Sequence, residues 1–167
     1  GSTKEKTLDT VLDLKKSGFN ATPHISCISS SKAEIKELLD KYKSNKINHL
    51  VALRGDNPSG SINFGELNYA NELVSFIKSE MGDTFKIDVG AYPEVHPESE
   101  TAKQDFINFK NKVEAGADSA ITQFFYNVDA YFKFVDECQK NSINIPIVPG
   151  IMPIYNSKQL IRFANNC

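Results

Sequence analysis

An α/β protein built on a parallel sheet is what this sequence predicts, and three observations carry that prediction. Short, apolar, β-branched runs alternate with longer segments of helical periodicity. The runs lack the polar alternation of half-exposed strands, so they read as strands buried on both faces. Their starts, at positions 23, 47, 85, 119 and 145, leave room for one crossover helix between each pair. Such spacing suits either a doubly wound sheet or a (β/α)8 (TIM) barrel. A complete barrel takes about 250 residues, whereas these 167 residues supply about five of the eight strands. A sequence that opens and closes on helical segments reads as the interior of a barrel, incomplete at both ends.

The elements follow in order. A first helix is expected over 7–16, then a strand over 23–28 (PHISCI). In 33–42 the apolar positions Ile35, Leu38, Leu39 and Tyr42 fall at i, i+3, i+4 and i+7, one face of a helix. The strand 47–53 (INHLVAL) leads to a helix over 67–81, patterned by Ala70, Leu73, Val74 and Ile77. After the strand 85–92 (FKIDVGAY), Ala102, Phe106, Phe109 and Val113 pattern a helix over 101–115 that stops at Gly116. A strand over 119–125 (SAITQFF), a helix over 131–138, a strand over 145–151 (IPIVPGI) and a helix over 160–164 complete the order.

Composition narrows the function classes. Lysine and arginine number 19 against 21 acidic residues, a formal net charge of −2, which argues against nucleic acid as the main partner. No apolar run approaches the length of a membrane span, and no basic start precedes an apolar segment as in an export signal. Cys27, Cys138 and Cys167 are odd in number and widely spaced, as free thiols of a reducing, cytoplasmic compartment would be.

Both candidate architectures bind ligands beyond the carboxyl ends of their strands. There the sequence places RGDNPSG (54–60), YPEVHPE (92–98), QFFYN (123–127) and PGIMP (149–153). Turn chemistry alone explains any one such loop; four aligned strand ends favour a site. Alternation puts Arg54 and Asp56 on one side, provided the strand stays extended that far. His96 lies at a carboxyl end within reach of a ligand, His49 at an amino end where residues serve stability, and His24 is open from position alone. His24 and Cys27, three apart along a strand, point to opposite faces, and no other pairing suggests a metal. Lys86, the only strand lysine, sits at an amino end, which disfavours Schiff-base chemistry. No G-x-S-x-G elbow supports a serine hydrolase, and no GxGxxG fingerprint supports a Rossmann site. Asp105, Asn108 and Lys112 share a helix face at i, i+3 and i+7. That face is either solvated surface or a holder for a hydroxylated, phosphate-bearing ligand.

PHISC (23–27), LVALRGD (50–56), AYPEVHPE (91–98), KVEAGA (112–117), AITQFF (120–125) and PGIMP (149–153) together resemble the methylenetetrahydrofolate reductase family, in family order and spacing. The resemblance implies a (β/α)8 barrel represented from about its second helix to its seventh. It implies FAD as cofactor, with contacts from His24, Arg54, Gly55, Asp56, Tyr69, Ala70, Tyr92, His96, Asp105, Asn108 and Lys112. Asp56 resembles the carboxylate beside the flavin and the folate pterin, and Gln123 the amide that meets folate and nicotinamide in turn. Gln159 and Phe163 fall where the family contacts substrate. Asn111 departs from the basic residue that some relatives carry beside the lysine.

The implied reaction reduces 5,10-methylenetetrahydrofolate to 5-methyltetrahydrofolate, with hydride from NADH or NADPH passing through FAD. The implied protein is a cytoplasmic homo-oligomer of one-carbon metabolism. The family's general-acid glutamate belongs to the first strand, which these residues do not include, so the 167 residues alone are expected to be inactive. Two other readings are a non-catalytic or split-barrel fragment completed by a partner chain, and a folate-binding barrel without flavin. The missing strands found on another chain would mark the first, and lack of flavin absorbance the second.

Overall fold

The computed structural model describes residues 4–55, 65–153, 155–156 and 160–161. Five helices and five strands alternate as α1 (Lys4–Lys16), β1 (His24–Ser26), α2 (Lys32–Ser44), β2 (His49–Leu53), α3 (Ala70–Met81), β3 (Lys86–Ala91), α4 (Ala102–Glu114), β4 (Ser119–Thr122), α5 (Val128–Lys140) and β5 (Ile147–Val148). Helix starts follow local chemistry. Ser31 and Glu34 form a capping box at α2, Thr101 accepts from the Gln104 amide at α4, and Asn127 accepts from the Asp129 amide at α5.

The sheet is parallel throughout, in the order β1-β2-β3-β4-β5. That order decides between the two architectures the spacing allowed. A doubly wound sheet reverses its strand order and carries helices on both faces; here the strands advance one by one with the helices on one side. Ile25, Leu50, Ala52, Ile87, Val89, Ala91 and Ala120 point toward the helices and join a single core with Val11, Ile35, Leu39, Leu73, Val74, Ile77, Phe109 and Cys138. The alternate residues face the open concave side, where Lys86, Ile121 and Val148 are exposed while Val51 and Asp88 are buried. The fold is therefore a five-stranded arc of a (β/α)8 barrel.

On the concave side, near the amino ends of the strands, His49 Nε2 lies 2.9 Å from Asp88 Oδ2, and the Ser119 hydroxyl donates to the same carboxylate. This polar link ties β2, β3 and β4 at the end of the sheet away from the site, the structural place expected for His49.

Several bounds differ from expectation: the first strand narrows to His24–Ser26, and the helices expected over 7–16 and 131–138 run over Lys4–Lys16 and Val128–Lys140. The strand expected over 119–125 ends at Thr122. The strand expected over 145–151 shrinks to Ile147–Val148 because Pro146 and Pro149, which lack N–H groups, flank it. The third helix begins at Ala70 rather than 67. Beyond β5 the chain comes very close to β4: the Gly150 amide donates to Thr122 Oγ1 at 2.9 Å, and a β-carbon at Gly150 would collide with the Thr122 carbonyl oxygen. Of the helix expected over 160–164, Leu160 and Ile161 are helical and the rest lies outside the described residues. Among the described residues no helix is long and apolar enough to cross a membrane.

Candidate functional site

The turn after β2 sets the first candidate side chain, Arg54. Gly55 has φ of +87°, and a β-carbon there would meet Ile28 Cγ2 at 2.8 Å and Ser26 Cβ at 2.9 Å. Glycine alone suits both the conformation and the space. The strand thus does not stay extended, and alternation cannot carry the side of Arg54 through to Asp56. Arg54 Nε donates to the Gly55 carbonyl at 3.2 Å, and its two terminal nitrogens donate to Glu98 at 2.5 and 2.8 Å. That guanidinium holds the Glu98 carboxyl below the usual carboxylate range.

Arg54 borders a cavity of about 530 Å³ beyond the carboxyl ends of β2 and β3, which Tyr69, Ala70, Tyr92, His96, Asp105, Asn108 and Lys112 also line. Eight expected site residues thus come together from β2, α3, the β3–α4 loop and α4. Tyr92 and His96 meet edge to face with ring centroids 4.4 Å apart. His96 Nδ1 accepts from the Glu98 amide at 3.0 Å, so a neutral His96 carries its proton on Nε2.

The shared face of Asp105, Asn108 and Lys112 lines the cavity, but its members are not equivalent. Asp105 fastens the loop, accepting from the His96 amide at 3.1 Å and the Ser99 hydroxyl at 3.0 Å. Asn108 Oδ1 accepts from Gln104 at 3.1 Å. Lys112 reaches inward: Nζ donates to the Gly90 carbonyl at 2.6 Å and lies 5.9 and 5.8 Å from the ring centroids of Tyr92 and Phe109. Burial pushes its pKa down to about 8, with Asp105 pulling the other way.

Gln123 belongs to an adjoining cavity of about 210 Å³, lined also by Tyr92, Pro93, Glu94, Val95, Pro97, Phe124 and Tyr126. Gly55 stands beside the larger cavity without lining it. His24 opens β1, exposed, and lines neither cavity. Asp56, Gln159 and Phe163 lie outside the described residues. Among the described residues, no three His, Cys, Asp or Glu side chains are grouped as metal ligands. Sequence reasoning overlooked Asn71, Ser99, Glu94 and Glu98 as cavity residues. Glu94, Glu98 and Ser99 had only the signal of position in a loop past a strand end, which many unremarkable turn residues share, and Asn71 sits in the first turn of α3.

The larger cavity offers two cations, aromatic surface and side-chain amides, all beyond the carboxyl ends of consecutively ordered parallel strands. This defines a (β/α)8-barrel protein with a candidate site at the rim where such barrels bind ligands. A family model for methylenetetrahydrofolate reductase matches residues 1–167, and the chain belongs to that family. It is 49% identical over 151 residues to 5,10-methylenetetrahydrofolate reductase of Buchnera aphidicola subsp. Schizaphis graminum, covering 90% of this chain and 50% of that one. The Escherichia coli enzyme of that name is 44% identical over 163 residues, 97% of this chain and 54% of the relative. Methylenetetrahydrofolate reductase (NADH) 1 of Arabidopsis thaliana is 41% identical over 86% of this chain and 26% of its own length. The chain thus spans about half the length of its bacterial relatives. Among solved structures, a Clostridium thermocellum protein that binds two copies of 5-methyl-5,6,7,8-tetrahydrofolic acid superposes with a TM-score of 0.57. Its identity is 18%, over 87% of this chain and 48% of that one. A 2,3-dimethylmalate lyase superposes with a TM-score of 0.59 at 5% identity, over 99% of this chain and 64% of that one. At such identities the shared feature is the fold.

Proposed function

We propose that the protein to which these residues belong reduces 5,10-methylenetetrahydrofolate to 5-methyltetrahydrofolate, with FAD as cofactor and NADH or NADPH as hydride source. In this reading the residues run from about the second helix of the barrel to the seventh, and the whole protein is a cytoplasmic homo-oligomer. Family membership supports the reaction. The observation that carries the cofactor is Lys112, a largely buried ammonium with one hydrogen bond, to Gly90, among the described residues. A buried cation calls for an anionic partner, and the remaining donors of Lys112 suit a phosphate oxygen.

Bound FAD would supply hydride acceptance and donation between two substrates that do not meet. The residues of this chain bind and orient. Lys112 and Arg54 supply positive charge for the phosphate-bearing portion. Asn108 and Asn111 offer amides for hydroxyl groups, and Tyr92 offers aromatic surface. Asp56, next after the Gly55 turn, is assigned the pterin and the electrostatic tuning of the reduced cofactor. A carboxylate there disfavours further negative charge and so favours hydride loss. Gln123 presents an amide to folate and nicotinamide in turn, from the smaller cavity that shares Tyr92. Gln159 and Phe163 complete the substrate contacts, and His24 a cofactor contact from β1.

The test is to purify the full-length protein, record its visible absorbance, and titrate the apo form with FAD. Flavin absorbance and turnover of methylenetetrahydrofolate with a reduced nicotinamide are expected. Turnover without flavin would refute the cofactor assignment, and flavin binding without turnover would refute the reaction.

A further inference from the structure

The β3–α4 loop, residues 92–101, is fastened to the loop on each side by a glutamate of its own. Glu98 receives both terminal nitrogens of Arg54, reaching back to the end of β2. Glu94 receives the backbone amides of Tyr126 at 3.3 Å and Asn127 at 3.1 Å, reaching forward to the β4–α5 loop. Each carboxylate uses both oxygens, so each contact fixes an orientation as well as a distance. The two arms also serve different cavities. Arg54 lines the larger, whereas Tyr126 lines the smaller together with Gln123 and Phe124.

Between the arms the loop is held in a costly shape. Val95 has φ of +72°, a region that β-branched residues avoid. Such a conformation persists only where its surroundings over-determine it. Here those surroundings are Glu94 on one side and, on the other, Glu98 and the hold of Asp105 on the His96 amide and the Ser99 hydroxyl. The partly exposed Arg54–Glu98 ion pair does little for global stability, and Glu94 holds two backbone amides of another loop, so both carboxylates act on loop placement.

We propose that Glu94 and Glu98 are positioning residues that divide the site: Glu98 sets the anion-binding half through Arg54, and Glu94 sets the Gln123 half through the β4–α5 loop. This deepens the functional reading above and rests on it, with FAD in the larger cavity and the folate or nicotinamide at the smaller.

The experiment makes Glu94→Ala, Glu94→Gln, Glu98→Ala and Glu98→Gln in the full-length protein. FAD dissociation is measured by flavin fluorescence, and kcat and KM for methylenetetrahydrofolate at saturating FAD. Glu98→Ala should loosen FAD by about three- to tenfold, the order expected for losing hydrogen bonds to a charged group at a partly exposed site. Its KM at saturating FAD should not change. Glu94→Ala should leave FAD binding unchanged and raise KM several-fold, with a smaller effect on kcat. Glu94→Gln, which keeps one acceptor oxygen, should recover part of the loss, and it serves as the reporting variant if alanine prevents folding. Glu98→Gln plays the same part for the other arm. Equal effects of both residues on both readouts would reduce the loop to a plain structural unit and overturn the division, as would no effect of either. A wild-type protein that binds no FAD overturns the functional reading itself, and this assignment with it.

Discussion

Replacing Lys112 with methionine separates what the site costs from what it binds. Burial lowers the Lys112 pKa from 10.5 to about 8. A shift of that size disfavours the charged form by about 3 kcal/mol, as an upper bound for a side chain that keeps some solvent. Because the native pKa is the lower one, the unfolded chain binds more protons between pH 8 and 10.5, and stability rises with pH across that window. Methionine keeps an unbranched apolar stem and removes the buried charge, together with its bond to Gly90 and its place near the Tyr92 and Phe109 rings. The variant should therefore melt no lower than wild type at pH 7. FAD binding should go the other way. Losing a charge-assisted contact of about 1.5–3 kcal/mol loosens it by roughly tenfold to a hundredfold. The wild-type affinity should itself fall by about tenfold between pH 7 and 9, as the charged fraction drops from about 0.9 to about 0.1. The K112M variant should show no such slope. Thermal melts and flavin fluorescence titrations at both pH values test this. Unchanged affinity in K112M, or a slope that survives it, would show that another group holds the anion.

Three further outcomes are expected. Gly55→Ala should cost about 1–3 kcal/mol, read from chemical denaturation, because alanine must take a positive φ and its β-carbon meets Ile28 and Ser26. Asp56→Asn in the full-length protein should slow folate reduction far more than it weakens flavin, checked by comparing turnover with FAD titration. The Arg54–Glu98 link should outlast ordinary carboxylates in acid. The pKa of Glu98 is lowered in the folded state, so its contribution is complete above the unfolded value and is lost as pH falls through the folded one. The gap in melting temperature between wild type and Glu98→Gln should therefore hold steady near neutrality and close only in acid.

The fold was readable because its signals are local. Helices at Ile35, Leu39 and Tyr42, or at Leu73, Val74 and Ile77, follow from a 3.6-residue period, and the buried strands from apolar runs. Strand spacing alone did not give the strand order, since barrel and doubly wound sheets share the same repeat; the barrel was expected from length and family resemblance, and the pairing of β1 through β5 in sequence bears it out. The site divides the same way. Spacing along one helix brought out Asp105, Asn108 and Lys112, and strand ends brought out Arg54, Tyr92, His96 and Gln123. The sequence could not show that Asp105 fastens a loop, nor that Gly55 turns the chain before Asp56. Glu94 and Glu98 find their partners 32 and 44 residues away, on other loops, where no periodicity reaches.

The central claim is that this rim holds a flavin through which hydride passes to the folate. Anaerobic mixing of the full-length protein, followed by flavin absorbance, addresses it directly. A reduced nicotinamide should bleach the bound flavin, and methylenetetrahydrofolate added afterwards should restore the oxidised spectrum with one equivalent of methyltetrahydrofolate formed. Bleaching that the folate does not reverse, or folate reduction while the flavin stays oxidised in Lys112→Met and wild type alike, would contradict the account.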